Sequence, residues 1–314
     1  MIHFYNGDIV ASLARRAGIP GRHVPFHESM VGGRVPSSMP RAQWVEIRAA
    51  FLAEAHGQNL LRARNDLLEQ EKVIDAAGAD EEIVLWFEHD LFCTVHLLYL
   101  LVRLKGARRV SLVWSPKALG LQTAEDIFQL YHSRAEVTPA MGLSAAEAWN
   151  AFTSDDPTSL NRLLGAERPD FPFLRQAMQL HASRFPSLKN GLGEVERRAV
   201  EGMEAAAADF VTLFGRFDAD PPRFGFGDSE FLRALRQLAG CAVPMITMTG
   251  DSPLKTVFAV TPAGRNVLEG QVDFLTLNGS DEGFWLGGAH LTRERMWRWD
   301  GDRQQIVASP PAGS

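Results

Sequence analysis

The stretch "IVLWFEHDLFCTVHLLYLL", residues 83–101, decides the fold of this chain. Its first five residues form a continuous apolar run, which is typical of a strand in a parallel sheet covered on both faces. Its last eleven residues predict a helix that is apolar nearly all round and therefore buried. Charged groups at such a seam cost several kcal/mol unless they are paired, hydrogen-bonded or metal-bound. The acidic and imidazole residues here, Glu88, His89 and Asp90, therefore indicate a reactive site.

Similar units flank this stretch. "IHFYNGD" and "DIVASLARRAG" predict a strand, a turn and a helix, "GRHVPFHES" predicts a second strand, and "RRVSLVWSP" predicts another buried strand. Strands that alternate with helices form parallel sheets through right-handed crossovers. We therefore expect an α/β fold with a Rossmann-like domain over residues 1–140, followed by a helical connecting region over residues 141–190.

The remaining chain has a different pattern. From Gly191 the sequence predicts three short helices, two strands joined by a turn at Asp251 to Pro253, and a closing helix that starts at "TPAGRNVL". This order is the outline of a winged helix. We expect a winged-helix-like α+β domain over residues 191–309, including a C-terminal extension of strands and turns that carries Trp285, Trp297 and Trp299.

Polar residues follow each predicted strand of the first domain. Because the carboxyl ends of parallel strands meet at one edge, ligands of open α/β sheets bind there. The residues at these ends are Asn6, Gly7 and Asp8; His27, Glu28 and Ser29; Glu88, His89 and Asp90; and Ser115 and Lys117. Their convergence predicts a ligand site at this edge.

The roles expected at this site follow from residue chemistry. His89 suits general acid or base work near neutral pH, and a neighbouring carboxylate would set its tautomer. We expect the catalytic residues to be Asp8, Glu28, His89 and Asp90. The ligand-binding residues expected are Asn6, Gly7, His27 and Glu88, with Arg34 or Arg41 clamping an anion. The alternatives are structural: Asp8 and Asp90 each begin a helix and could cap it, and Gly7 could only permit a turn.

No cofactor is identified by motif. The sequence lacks GxGxxG after the first strand, the P-loop pattern, HExxH, and paired cysteines. His89, Cys93 and His96 share one helix face, which permits a metal site, but the other residues of that face are apolar and favour a core role. A divalent metal is left open as the minority interpretation.

Bulk properties exclude several classes of protein. The formal charge of −6 and pI near 5.9 give no general attraction to nucleic acid or to an anionic membrane. The two cysteines, Cys93 and Cys241, form no disulfide framework, and the N-terminus lacks the pattern of a signal peptide. We expect a cytoplasmic protein with no membrane partner, while its oligomeric state stays open.

Several motifs in order resemble one bacterial family. They are "HFYNGD", "AGIPG", "FLAEAHG", "VLWFEHDLFC", "FPSLKNGLGEVE", "TPAGRNVLEG" and "WLGGAHL" followed by "WRWD". Together they resemble the proteins that carry the domain of unknown function 1835. The resemblance implies bacterial origin and the same domain order, but it carries over no catalytic residues because that family is functionally uncharacterised.

Two functions remain after these observations. The first is an enzyme, a hydrolase or transferase, acting by acid/base chemistry on a small anionic or nucleotide-like ligand. The alternative is a ligand-sensing transcriptional regulator or protein-interaction module, with Arg233 and Arg236 on its recognition helix. Residues 191–270 carry eight Arg or Lys against eleven Asp or Glu, a net charge of −3, which disfavours nucleic acid as a partner without excluding it.

Overall fold

The computed structural model of this chain describes residues 1–77, 81–221, 223–250, 255–279 and 281–309. The chain divides into two compact units. The first comprises residues 1–31, 35–153 and 167–177, and the second comprises residues 32–34, 154–166 and 178 onward. The helical stretch expected between two domains, residues 141–190, is thus shared between the two units.

The first unit is built from a sheet and helices in alternation. Its strands are β1 (Ile2–Tyr5), β2 (Arg22–Pro25), β3 (Ile83–Glu88), β4 (Val110–Ser115) and β5 (Ala135–Glu136). Its helices are α1 (Asp8–Arg16), α2 (Arg41–His56), α3 (Leu60–Ala76), α4 (Leu91–Arg103), α5 (Ala124–His132) and α6 (Pro139–Phe152).

The sheet has the strand order β2-β1-β3-β4-β5, and its first four strands are parallel. This confirms the expected α/β class and the Rossmann-like parallel sheet. β5 pairs with β4 in the antiparallel direction and was not anticipated. β2, which contains Pro25, is an edge strand, where a residue that cannot donate a backbone hydrogen bond is tolerated.

Helices cover both faces of the sheet. Residues of α1 and α5 pack with Tyr5, Trp86 and Val113 into one apolar cluster. Helix α4 packs against β3, α3 and α6, and ten of its thirteen residues are buried. Because both faces are covered, β3 is apolar from Ile83 to Phe87 and all five of those residues are buried, as the continuous apolar run predicts.

The second unit is made of short helices and small antiparallel sheets. Its helices are α7 (Leu160–Leu164), the end of α8 (Leu174–Ala182), α9 (Glu194–Glu201), α10 (Phe210–Phe217), α11 (Asp228–Gly240), α12 (Pro262–Leu268) and α13 (Phe274–Asn278). Its strands are β6 (Ala208–Asp209), β7 (Ile246–Thr249), β8 (Val257–Val260), β9 (Phe284–Leu286), β10 (Ala289–Leu291), β11 (Met296–Asp300) and β12 (Gln305–Ser309).

Three separate sheets organise the described part of this unit. β6, β8 and β7 form a three-stranded antiparallel sheet, while β9 pairs with β10 and β11 pairs with β12. The turn predicted at Asp251 to Pro253 lies outside the described residues. The segment from Phe274 to Asn278, expected to be extended, is a short helix that begins at the side-chain cap of Asp273. Trp297 and Trp299 are buried, whereas Trp285 is half-buried.

None of the helices in the described part of the chain has the length and apolar character needed to cross a membrane.

Candidate functional site

The carboxyl ends of four strands lie side by side at one edge of the sheet. β1 has β2 on one side and β3 on the other, so the connections leave in opposite directions from the point between β1 and β3. In open α/β sheets such a reversal opens a crevice at the strand ends, where ligands bind. Asn6, Gly7 and Asp8 follow β1 at this point, and His89 and Asp90 follow β3.

Asn6 joins the end of β1 to helix α4. Its amide nitrogen donates to Sγ of Cys93 at 3.0 Å, and its amide oxygen accepts from Nδ1 of His96 at 3.3 Å. The backbone N–H of Met30 reaches Nε2 of the same ring at 3.4 Å. Burial lowers the pKa of His96 to about 3 and raises the pKa of the Cys93 thiol, so both are neutral. These contacts hold the Asn6 to Asp8 turn against α4.

Gly7 allows the turn to pass directly into α1. Its backbone has φ 93° and ψ 176°, a conformation that residues with a side chain rarely adopt. It stands at the N-cap of α1, and no side chain caps that helix. By contrast, Asp90 caps α4 and Thr123 caps α5. The first amides of α1 therefore have no side-chain cap, and the carboxylate of Asp8 belongs to the same first turn.

Asp8 and His27 form a pair across β1 and β2. Nε2 of His27 donates to Oδ2 of Asp8 at 2.8 Å, and the side chains are 53% and 72% exposed. The backbone N–H of His27 donates to the side chain of Gln70 at 2.8 Å, so a residue of α3 fixes the loop that follows β2. The result is an imidazole oriented by a carboxylate and open to solvent, beside the uncapped end of α1.

Glu28 points away from this pair into the protein. Its side chain is completely buried and accepts from Arg48 through both carboxylate oxygens, at 2.7 and 3.1 Å. It also accepts from the backbone N–H of Ser29 at 2.8 Å. These contacts favour a structural role for Glu28 over the catalytic role expected from the sequence, because a ligand would have to displace a buried guanidinium.

The acidic residues of the β3 seam also have local partners. Glu88 accepts from the backbone N–H of Leu119 at 2.9 Å, which draws the turn after β4 towards β3. Asp90 is buried and accepts from the backbone N–H of Cys93 at 2.7 Å, so it is the N-cap of α4. The capping alternative for Asp90 is therefore supported by its geometry.

His89 lies among aromatic rings. Its backbone N–H donates to the carbonyl of Ser115 at 2.9 Å, which continues the pairing of β3 with β4. Its ring stacks on Phe173 with centroids 3.6 Å apart, and Trp114 meets the imidazole edge-on at 4.8 Å. Phe173 was missed from the sequence because it lies 84 positions after His89, and the only local signal was its place in the Pro-rich loop "RPDFPF".

The two arginines expected to clamp an anion have other partners. Arg41 forms an ion pair with Glu71 at 3.1 Å and donates to the hydroxyl of Tyr99 at 3.0 Å. Arg34 belongs to the second unit, where its guanidinium lies 4.9 Å from the ring centroid of Trp285. Neither contact places an arginine beside Asp8 and His27.

Within the described ranges, no group of three or more His, Cys, Asp or Glu side chains has an arrangement that could hold a metal ion. His89, Cys93 and His96 are therefore not assembled as a metal site, and Cys93 and His96 bind Asn6 instead.

Comparison with known proteins adds no family to this description. No protein-family model matches the chain, and a search of curated proteins found no match. The resemblance to the proteins that carry the domain of unknown function 1835 stays a prediction.

Proposed function

We propose that the first unit is an enzyme, a hydrolase or transferase, that acts by acid/base chemistry on a small anionic or nucleotide-like ligand at the carboxyl ends of the strands. One observation carries the proposal: the solvent-open Asp8–His27 pair stands beside the uncapped N-terminus of α1. A proton-transfer group and an anion-binding backbone at one strand edge are the two parts that such chemistry needs.

In this proposal His27 transfers the proton. The carboxylate of Asp8 accepts from Nε2 of His27, which leaves Nδ1 to face the ligand and stabilises the imidazolium when it forms. His27 therefore takes the acid/base role that the sequence suggested for His89. Asp8 keeps a place in the reaction centre as the residue that orients the base.

Backbone groups hold the anionic part of the ligand. The first amides of α1 carry partial positive charge, and the absence of a side-chain cap there leaves them available to an anion. The space beside the Gly7 backbone is open, since a Cβ built at this position would meet no atom within 4 Å, and its φ of 93° favours glycine there. Asn6 maintains the turn through Cys93 and His96. The carboxylate of Asp8 would repel a ligand anion. A positive charge on His27, its hydrogen-bond partner, would offset part of that repulsion.

A substrate panel tests the proposal. Purified protein would be incubated with nucleoside mono- and diphosphates and with sugar phosphates, and the products would be identified by mass spectrometry. We expect at least one of them to be consumed, and we expect His27→Gln to slow that turnover by on the order of 100-fold or more. The matched control is His132→Gln, another exposed histidine, on α5. No turnover of any panel member, or equal turnover by His27→Gln, would overturn the proposal.

The second unit supports an alternative function. We infer a winged helix from α9 to α12, because helices α9, α10 and α11 precede the β7–β8 hairpin and β6 pairs with β8 in the order β6-β8-β7. A winged helix can read DNA through its third helix, here α11, or contact another protein. The alternative is thus a ligand-sensing regulator or a protein-interaction module.

Charge favours the protein-contact form of this alternative. Arg236 is exposed on α11, but Arg233 is half-buried and interacts electrostatically with Arg184 and Glu196. Together with the net charge of −3 over residues 191–270, this leaves few cations for phosphate contacts. Binding to random duplex DNA at low salt is the discriminating measurement, and no retention is expected.

The expected compartment also remains part of the proposal. Cys93 is buried and Cys241 is half-buried, and both are free thiols. Free thiols fit a reducing cytoplasm, although they do not require it.

A further inference from the structure

The rings of His89, Phe173 and Trp114 contact one another at the end of β3. The ring of Phe173 lies 3.6 Å from that of His89 at an interplanar angle of 26°, so the two are stacked. The indole of Trp114 stands nearly perpendicular to both, at 77° to His89 and 86° to Phe173. The ring of Phe173 thus lies on the face of His89, with Trp114 beside both rings.

Phe173 adopts an unfavourable backbone conformation to reach this position. Its φ is +74°, in the left-handed region that bulky side chains rarely enter. It also immediately precedes α8, and its carbonyl accepts the first helical hydrogen bond, from Ala177 at 3.0 Å. Ser, Asn, Asp or Gly are favoured at that position, and a phenylalanine offers no cap. Phe173 therefore departs from the usual residue preference both for positive φ and for the position before a helix.

The neighbouring residues hold this segment without help from Phe173. Phe171 is fully buried and meets Trp114 at 4.9 Å. Asp170 accepts from the hydroxyl of Ser144 at 2.7 Å, and Arg168 pairs with Glu147 at 2.8 Å. Phe173 itself is 41% exposed, so it adds little to the core. Its ring contacts with His89 and Trp114 are what remain to account for an aromatic side chain here.

We infer that the space filled by Phe173 is a stacking slot for a planar heteroaromatic ring of the ligand, of the nucleobase type, and that Phe173 and this ring are alternative occupants of the face of His89. The spacing of 3.6 Å is that of two rings in van der Waals contact. Every base has a π-face, and bases stack on aromatic side chains at least as strongly as phenylalanine does on histidine.

The surroundings of the slot suit a nucleotide. Two exposed apolar residues, Ile9 at 68% and Leu121 at 87%, flank the same strand edge, and the turn that carries Leu121 contacts α1. The uncapped amides of α1 follow β1, the strand next to β3, at a strand spacing of about 4.8 Å. A nucleotide would have to join an anion at the start of α1 to a ring on His89, at the end of the neighbouring strand. This part of the inference rests on the proposed function.

Space is available for Phe173 when it leaves the slot. A cavity of about 250 Å³ lies beside the same segment, and Trp114, Met141 and Pro172 are among its lining residues.

Titration calorimetry with three probes tests the inference. Adenosine carries the ring alone, ribose 5-phosphate carries the anion alone, and adenosine 5′-monophosphate carries both. The test variant is Phe173→Asn, because Asn tolerates positive φ and caps helices, and Phe173→Gly is the second variant should Asn disturb the fold. The matched control is Phe128→Ala, which removes another exposed phenylalanine whose ring lies 4.5 Å from a histidine, His132.

We expect Phe173→Asn to bind adenosine and adenosine 5′-monophosphate about 2- to 10-fold more tightly than the unmodified protein, because the ring no longer competes with phenylalanine. Ribose 5-phosphate should bind both equally, and Phe128→Ala should behave like the unmodified protein. Adding His89→Ala to Phe173→Asn should remove the gain.

The outcomes separate the slot from the proposed function. If neither Phe173 variant binds adenosine more tightly, the slot is wrong, whatever ribose 5-phosphate does. If adenosine gains affinity while ribose 5-phosphate binds no variant, the slot stands and the anion site of the proposed function fails.

Discussion

Nε2 of His27 lies 2.8 Å from Oδ2 of Asp8 and joins the ends of two neighbouring parallel strands. The two residues are 19 positions apart in sequence, and neither is buried. An exposed pair of this kind contributes little to stability, because water competes for both groups. Its geometry can therefore be altered without loss of the fold, which makes it the best place to separate function from structure.

Replacing Asp8 with Asn should impair the reaction and leave the fold intact. The Asn side chain can offer its amide nitrogen to His27 and so favour the wrong tautomer, and it no longer stabilises the imidazolium. We expect turnover of the panel substrate to fall by on the order of 100-fold or more. The measurement is the initial rate from pH 5 to 9, with the unfolding midpoint in urea as the control. An unchanged rate would remove Asp8 from the reaction centre.

Breaking the Glu28–Arg48 pair should destabilise the protein. Both side chains are completely buried, so Glu28→Ala would leave an uncompensated guanidinium in the core. We expect the free energy of unfolding to fall by about 3–5 kcal/mol. The surface pair of Glu46 with Arg64 is the matched control, and Glu46→Ala should cost less than about 1 kcal/mol. A loss of turnover in Glu28→Ala at full stability would instead restore the catalytic role.

Two substitutions of Asp90 can distinguish its role as the N-cap of α4 from a role in the reaction. Asp90→Ala should lower the free energy of unfolding by about 1 kcal/mol, because the backbone N–H of Cys93 loses its acceptor. Asp90→Ser keeps an acceptor but removes the charge, so we expect it to retain most of the stability and all of the turnover. Should Asp90→Ser fold normally and lose activity, the carboxylate has a role beyond capping.

Three buried histidines, His3, His96 and His181, should make the fold sensitive to acid. Burial lowers the pKa of His3 to about 4, that of His96 to about 3 and that of His181 well below its usual value, from 6.5 in the unfolded chain. Below pH 6.5 these histidines become protonated in the unfolded chain but stay neutral in the folded protein. Stability is therefore complete above pH 6.5 and is lost as the pH falls towards the folded values.

For each of these histidines the expected slope rises from about 0.7 kcal/mol per pH unit at pH 6.5 towards about 1.4 kcal/mol per pH unit near pH 5. Urea unfolding at half-unit steps of pH measures it. His3→Gln keeps an acceptor for the indole N–H of Trp86 and a donor for the carbonyl of Pro20, and it should remove about a third of the slope. A flat profile over this range would contradict the buried, neutral assignment.

The elements near β3 could be predicted because they depend on local patterns. A run of five apolar residues between polar ends has few alternatives to a buried strand, and Asp90 before an apolar helix is a common cap. The short strand β5 had no such pattern, because two exposed residues, Ala135 and Glu136, pair with β4 only after α5 has returned the chain to the sheet edge.

The use of each polar residue depended on contacts that no local pattern encodes. Glu28 finds Arg48 only because α2 brings Arg48 to the loop that follows β2. Arg41 contacts Glu71 and Tyr99 because α3 packs against both α2 and α4. A carboxylate that ends a strand has the same sequence signature whether it faces a ligand or a buried guanidinium.

By itself, the sequence determined that a parallel sheet covered by helices exists and that Asn6, Asp8, His27 and His89 stand at the ends of its strands. It could do so because burial on both faces and helix capping leave periodic and local signals. Only the tertiary structure decided that Asp8 pairs with His27, that Glu28 is enclosed by Arg48 and that Phe173 covers His89. Each of these contacts joins segments whose distance in space is set by packing, and packing depends on the whole chain rather than on the residues near each group.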